Sequence, residues 1–178
     1  MNGKSIIKYE VFSIIFVAIL GSILHFTFDW SGNNLFVGSF SAVNESVWEH
    51  LKLIYFPTLI TIIIGCYYNK DIIPKYISAK VKGLLIAMSF ITIFFYTYTG
   101  ILGYNISFLD ISSFFIAIII CEIITYKSFL SNSSNNFIQY LVILIILFFC
   151  FIVFTYNPPK LGLFKDPITN TYGIFKSK

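Results

Sequence analysis

Apolar residues gather in five long runs, and between them stand short polar segments. The runs are about Ile6–Phe28, Val47–Tyr68, Gly83–Gly103, Ile111–Tyr126 and Phe137–Tyr156. A helix needs about 20 apolar residues to cross a bilayer. The second and fourth runs reach that length only if their polar first residues lie in the interface. None of the runs alternates residue by residue, as the roughly 10-residue strands of a membrane barrel would. Helices satisfy every backbone group internally, so the pattern predicts an all-α, polytopic membrane bundle of five spans over residues 1–156. The run at Ile6 is too long for a signal-peptide core and no A-x-A site follows it, so it reads as an uncleaved first span. No internal repeat supports an inverted-repeat transporter design.

After Tyr156, Asn157-Pro158-Pro159 stops the last helix. The segment 157–178 is too broken to span again, and its apolar residues predict a tail packed on the mouth of the bundle. Ser131–Asn136 reads as a polar linker.

Composition sharpens this picture. The chain is 57% hydrophobic and 11% charged, against about 25% charged in soluble domains. Its net charge of +4 comes from lysines alone. They are scattered around the apolar runs, which argues against a nucleic-acid partner. The stretch Asn69–Lys82 holds four of them, whereas Asp29–Ser46 and Tyr104–Asp110 hold none. The positive-inside rule then places the N-terminus in the cytoplasm and the C-terminus outside. Trp30 and Trp48 fall at the outer interface, and Tyr67, Tyr68 and Tyr126 at the inner one. Cys66, Cys121 and Cys150 lie inside apolar runs without metal-ligand spacing and read as small buried hydrophobes.

The ionisable residues are unevenly placed. Asn44-Glu45-Ser46-Val47-Trp48-Glu49-His50 puts two carboxylates, an imidazole and an indole at the start of span two. Charge at that depth is costly and has a partner or a task. On the same topology His25, Asp29, Lys52, Asp110 and Asp166 belong to this outer end, with Thr97, Tyr98 and Thr99 adding hydroxyls. Glu45 and Glu49 are spaced i,i+4, with Lys52 three residues on as a neutralising cation. His25 and Asp29 are also i,i+4, a spacing that would fix the imidazole tautomer. Plain structural duties compete: Ser46 and Glu49 match a capping box, Asp110 suits a helix start, Trp48 an interface anchor, and Lys52 can snorkel. Glu122, the other acid inside a span, is expected to pair with Lys127 or Glu10.

Asn44–Lys52, Tyr96-Thr97-Tyr98-Thr99-Gly100 and the tail Leu163-Phe164-Lys165-Asp166-Pro167 with Tyr172-Gly173 resemble an uncharacterised family of small five-span integral membrane proteins. That family occurs in Gram-positive, often anaerobic, bacteria. Its tail pattern reads Asp-Pro-x-Thr-Gly-x-Tyr-Gly, and Asn170 stands here in the first glycine's place. Asn also adopts positive φ. The resemblance implies a bacterial plasma membrane and assigns no residue a role.

Three functions remain open, so whether the chain is an enzyme is not decided by its sequence. The first is binding or movement of a cation or small cationic ligand, using His25, Glu45, Trp48, Glu49, Lys52, Tyr98 and Asp110. The second is a metal-dependent hydrolase acting on a lipid or peptide. Its divalent cofactor, such as zinc, would sit on His25, His50 and a carboxylate, with Glu49 placed first, and its catalytic candidates are Glu45, Glu49 and His50. The third is an accessory protein whose polar cluster locks spans one, two and four together. The lipid bilayer is the common partner, and a homo-oligomer would give these short spans a larger scaffold.

Overall fold

The computed structural model describes residues 3–68, 70–131 and 136–174. These form α1 (Gly3–Trp30), the single-turn α2 (Leu35–Gly38), α3 (Val47–Tyr68), α4 (Ile73–Leu102), α5 (Ser107–Leu130) and α6 (Phe137–Tyr156). Short 3-10 turns lie at Lys70–Ile72 and Gly162–Phe164. All but α2 are long and apolar enough to cross a membrane. Among the described residues there is no β-strand, only a single bridge between Lys165 and Tyr172.

Two spans are longer than the apolar pattern predicts. α4 begins at Ile73, not near Gly83, and α5 runs over Ser107–Leu130, not 111–126. The lysines at 75, 80 and 82 make the start of α4 look like a loop. Pro74 suits the first turn of a helix, where its missing N–H costs nothing. At the far end Gly103, at φ 81°, caps α4 by donating its N–H to the Thr99 carbonyl at 2.8 Å. The polar linker falls largely on 132–135, outside the described residues.

α3 is the central helix. In its most apolar stretch 61% of residues are buried, against 11% for α6. The helix walled by protein carries Glu49, His50 and Lys52, while α6, the least buried, is almost wholly apolar, as a lipid solvent requires. α1 lies on α3 and α5, α4 on α5 and α3, and α6 on α4 and α3. Tyr55 ties α3 to α6 by donating to the Leu144 carbonyl at 2.6 Å. Pro57, inside α3, cannot donate to the carbonyl of Leu53. That carbonyl faces Gly21 of α1, where a Cβ would sit 2.5 Å from it. A glycine is needed for the two helices to approach so closely.

The tightest contact joins α4 to α5. A Cβ on Gly83 would lie 2.4 Å from the Cys121 carbonyl oxygen and 2.6 Å from Thr125 Oγ1. Because the first of these atoms is backbone, the helices themselves would have to part. Gly83→Ala is expected to cost about 1–3 kcal/mol, typical of overpacking. Chemical denaturation in detergent measures it, and Gly100→Ala, with open space around it, is the neutral reference.

Tail residues 157–174 lie across the end of the bundle where α1 finishes and α3 begins. Phe164 is buried against Trp48 and Phe154, with ring centroids 4.8 and 5.4 Å apart. Asp166 turns the chain by accepting from the N–H groups of Ile168 and Thr169. Asn170 sits at φ 59° and Gly173 at φ 67°. Asn44 then pins the segment, its side-chain amide donating to the Gly173 carbonyl at 2.9 Å. Trp48 is thus no exposed interface anchor: it is buried, packed on Phe151, Phe154 and Phe164.

Candidate functional site: a histidine and glutamate cluster

The loop into α3 sets the site. Asn44 Oδ1 accepts from the Ser46 N–H at 2.8 Å, and Ser46 Oγ accepts from the Glu49 N–H at 3.4 Å. Ser46 therefore caps α3, as its sequence pattern suggests. The reciprocal half of the capping box is missing, because the Glu49 side chain turns elsewhere. Glu45 stands just before the cap, outside the helix, and is free to swing over the first turn toward His50.

There it meets both histidines of the protein. Glu45 Oε2 lies 3.3 Å from His50 Nε2 and 4.0 Å from His25 Nε2. The two imidazoles stand edge to face with centroids 5.3 Å apart, and His25 stacks on Phe26. One ligand atom from each of His25, Glu45 and His50 lies within 4.8 Å of the others. All three residues are half-buried. The hydrogen bond with His50 holds the Glu45 carboxyl below the usual carboxylate range, outweighing the opposing effect of burial.

The cluster opens on a cavity of about 300 Å³ between α1, α3, α4 and α5. Gly21, Leu53, Ile91, Phe95 and Phe114 form apolar walls, Asp110 supplies a second carboxylate, and Ile168 reaches in from the tail. Tyr98 stands behind Asp110, donating its hydroxyl to that carboxylate, and itself accepts from the Ile106 N–H at 3.3 Å.

Several expected site residues lie elsewhere. Glu49 is not beside the histidines. It projects from a different face of α3, about 100° around the helix from His50, and its Oε2 is 2.5 Å from Lys52 Nζ. The Val43 N–H donates to Glu49 Oε2 at 3.1 Å. Lys52 does not snorkel: it is fully buried and also donates to the Gly38 carbonyl at 2.8 Å and to Thr155 Oγ1 at 2.9 Å. Glu49, Lys52 and Trp48 thus leave the histidine cavity and lock α3 to the α2 segment, to α6 and to the tail. Asp29, the i,i+4 neighbour of His25, is not its partner: Asp29 is exposed, and Glu45 from the loop before α3 faces the imidazole.

A second polar cluster escaped the sequence reading. Lys80, assigned there to a loop, is fully buried in α4. It donates to Glu10 Oε2 at 2.6 Å, to Ser13 Oγ at 3.0 Å and to Glu122. Glu122 therefore pairs with Lys80, and not with Lys127. Helical spacing could have found this. Glu10 and Ser13 lie on one stripe with Ile6, Val17 and Gly21, and Lys80 lies on one with Gly83, Leu84, Ala87 and Ile91. Polar residues on the small-residue stripe of a span face a neighbouring helix.

Five apolar helices around buried ion pairs, with a histidine–glutamate cluster at one end, define a multi-pass helical membrane protein. The chain belongs to a family of unknown function, DUF6512, whose sequence profile matches residues 1–174. No curated protein and no solved structure matches it.

Proposed function

We propose that this protein binds a divalent metal ion, such as zinc, through His25, Glu45 and His50. The convergence of three ligands from two helices and a loop carries the reading. Two histidines and a glutamate with an open position are a known catalytic zinc set. Ligand atoms around tetrahedral zinc lie about 3.4 Å apart for bonds of about 2.1 Å, so the cluster needs to close by about 1 Å. Asn44 and Ser46 orient the loop that carries Glu45, which gives that ligand a fixed approach.

Binding is favoured over passage of a cation. Glu49, Glu10 and Glu122 are already engaged by Lys52 and Lys80, so they are not a free relay of carboxylates for a moving cation. The cavity favours a second reading, hydrolysis of an amphiphile. Its apolar walls suit a hydrocarbon chain, and Asp110 faces the cluster across the space where a polar head would lie. A bound metal would supply Lewis-acid chemistry there, while Asp110, steadied by Tyr98, is placed to accept a proton.

We place the protein in a bacterial plasma membrane with its N-terminus in the cytoplasm. With Lys52 and Lys80 buried as partners of carboxylates, six lysines on the N-terminal side still oppose four on the other.

The test is metal content by mass spectrometry after zinc loading in detergent. Wild type and Asp110→Asn are expected to hold near-stoichiometric metal. His25→Ala, His50→Ala and Glu45→Gln are expected to bind it more than about 100-fold more weakly, exceeding the loss caused by removing a residue that only orients a ligand. Wild type without metal would sink the proposal.

A further inference from the structure

The Lys80 cluster has one negative charge too many. Two carboxylates and one ammonium, each at least nine-tenths buried, meet between α1, α4 and α5. An uncompensated carboxylate in such a place costs several kcal/mol, and the ordinary remedy is neutralisation.

The hydrogen bonds say which carboxyl is neutral. Glu122 uses both oxygens: Oε1 accepts from Ser13 at 2.9 Å and Oε2 from Lys80. Glu10 uses only Oε2, toward Lys80. Its Oε1 is buried without a hydrogen-bond partner. A bare buried acceptor is expensive, and a proton on it removes the charge that makes it so. The other titratable groups facing the cluster are Tyr9 of α1, Tyr76 of α4 and Cys121 of α5. None of them carries positive charge to offset the surplus.

We propose that Glu10, Lys80 and Glu122 form an intramembrane proton-binding site, with the proton held on Glu10 at neutral pH. Lys80 stays charged and is shared between an ionised Glu122 and a neutral Glu10. Acid residues held inside membrane bundles are the usual carriers of protons through them. Loading and unloading this site changes the charge at the junction of α1, α4 and α5. These three helices also wall the histidine cavity, through Gly21, Ile91 and Phe114. The site does not depend on the metal reading and survives its failure.

Infrared spectroscopy of the purified protein in detergent at neutral pH tests the assignment. Wild type is expected to show the carbonyl stretch of a protonated carboxylic acid, shifted on exchange into heavy water. Glu10→Gln is expected to remove that band and keep the wild-type thermal midpoint, because the amide is neutral and has the same shape. Glu122→Gln is expected to remove the band as well, since Glu10 then ionises to balance Lys80, and a band that persists there would overturn the charge account. Absence of the band in wild type would overturn the proposal. So would its persistence in Glu10→Gln, or a Glu10→Gln protein that no longer folds.

Discussion

Lys80→Met is expected to destabilise the bundle by about 3–5 kcal/mol, the cost of stranding a buried charge by deleting its partner. The substitution keeps most of the side-chain volume, so packing alone does not explain such a loss. It removes the donor to Glu10 and Glu122 at once and leaves Ser13 as the only donor to Glu122. Chemical denaturation in detergent measures the difference. Acid narrows it: as the stranded carboxylate takes up a proton, its charge disappears, and with it most of the penalty. The triple variant Glu10→Gln/Lys80→Met/Glu122→Gln recovers much of the stability, because neutral groups replace the whole ion cluster. A single variant as stable as wild type at neutral pH would mean that Lys80 is not held as described.

Lys52→Met is the second large effect, again about 3–5 kcal/mol. Lys52 bonds to Glu49, to the Gly38 carbonyl and to Thr155, so its loss frees acceptors on three segments. Glu49 keeps one backbone donor, Val43, and the Thr155 hydroxyl at 3.3 Å. Adding Glu49→Gln to Lys52→Met is expected to restore most of the loss, since the remaining donors satisfy an amide oxygen as well. Metal content is the contrasting measurement. It should follow His25, Glu45 and His50 and stay intact in the folded Glu49/Lys52 double variant. Loss of metal in that variant without loss of fold would return Glu49 to the site.

The five spans were legible because lipid demands long apolar runs, and every run is there to be read. The first ten residues of α4 were not. Lys75, Lys80 and Lys82 share one short stretch, yet Lys75 lies over the Phe129 ring, Lys82 is exposed and Lys80 is buried. Only partners distant in the chain distinguish them. The same limit governed the site. His25 and His50 announce themselves as the only imidazoles. Whether Glu45 or Glu49 joins them depends on the turn made by Asn44 and Ser46 before α3 begins. Helical spacing correctly sends Glu49 away from His50. It is silent on Glu45, which lies outside the helix. Trp48 misled for a related reason, since the tail that covers it comes more than a hundred residues later.

The order of synthesis gives the Lys80 cluster a history. Domains and spans emerge from their N-termini. Glu10 is therefore present 70 residues before Lys80, and Glu122 arrives 42 residues after it. Until α5 is made, one acid and one base stand in balance, and the half-built bundle carries no surplus charge there. The fifth helix element brings the second acid, and the demand for a proton is born with it. On the proposed assignment, completing the cluster takes up one proton, so the stability gained when α5 docks depends on the acidity of the surroundings.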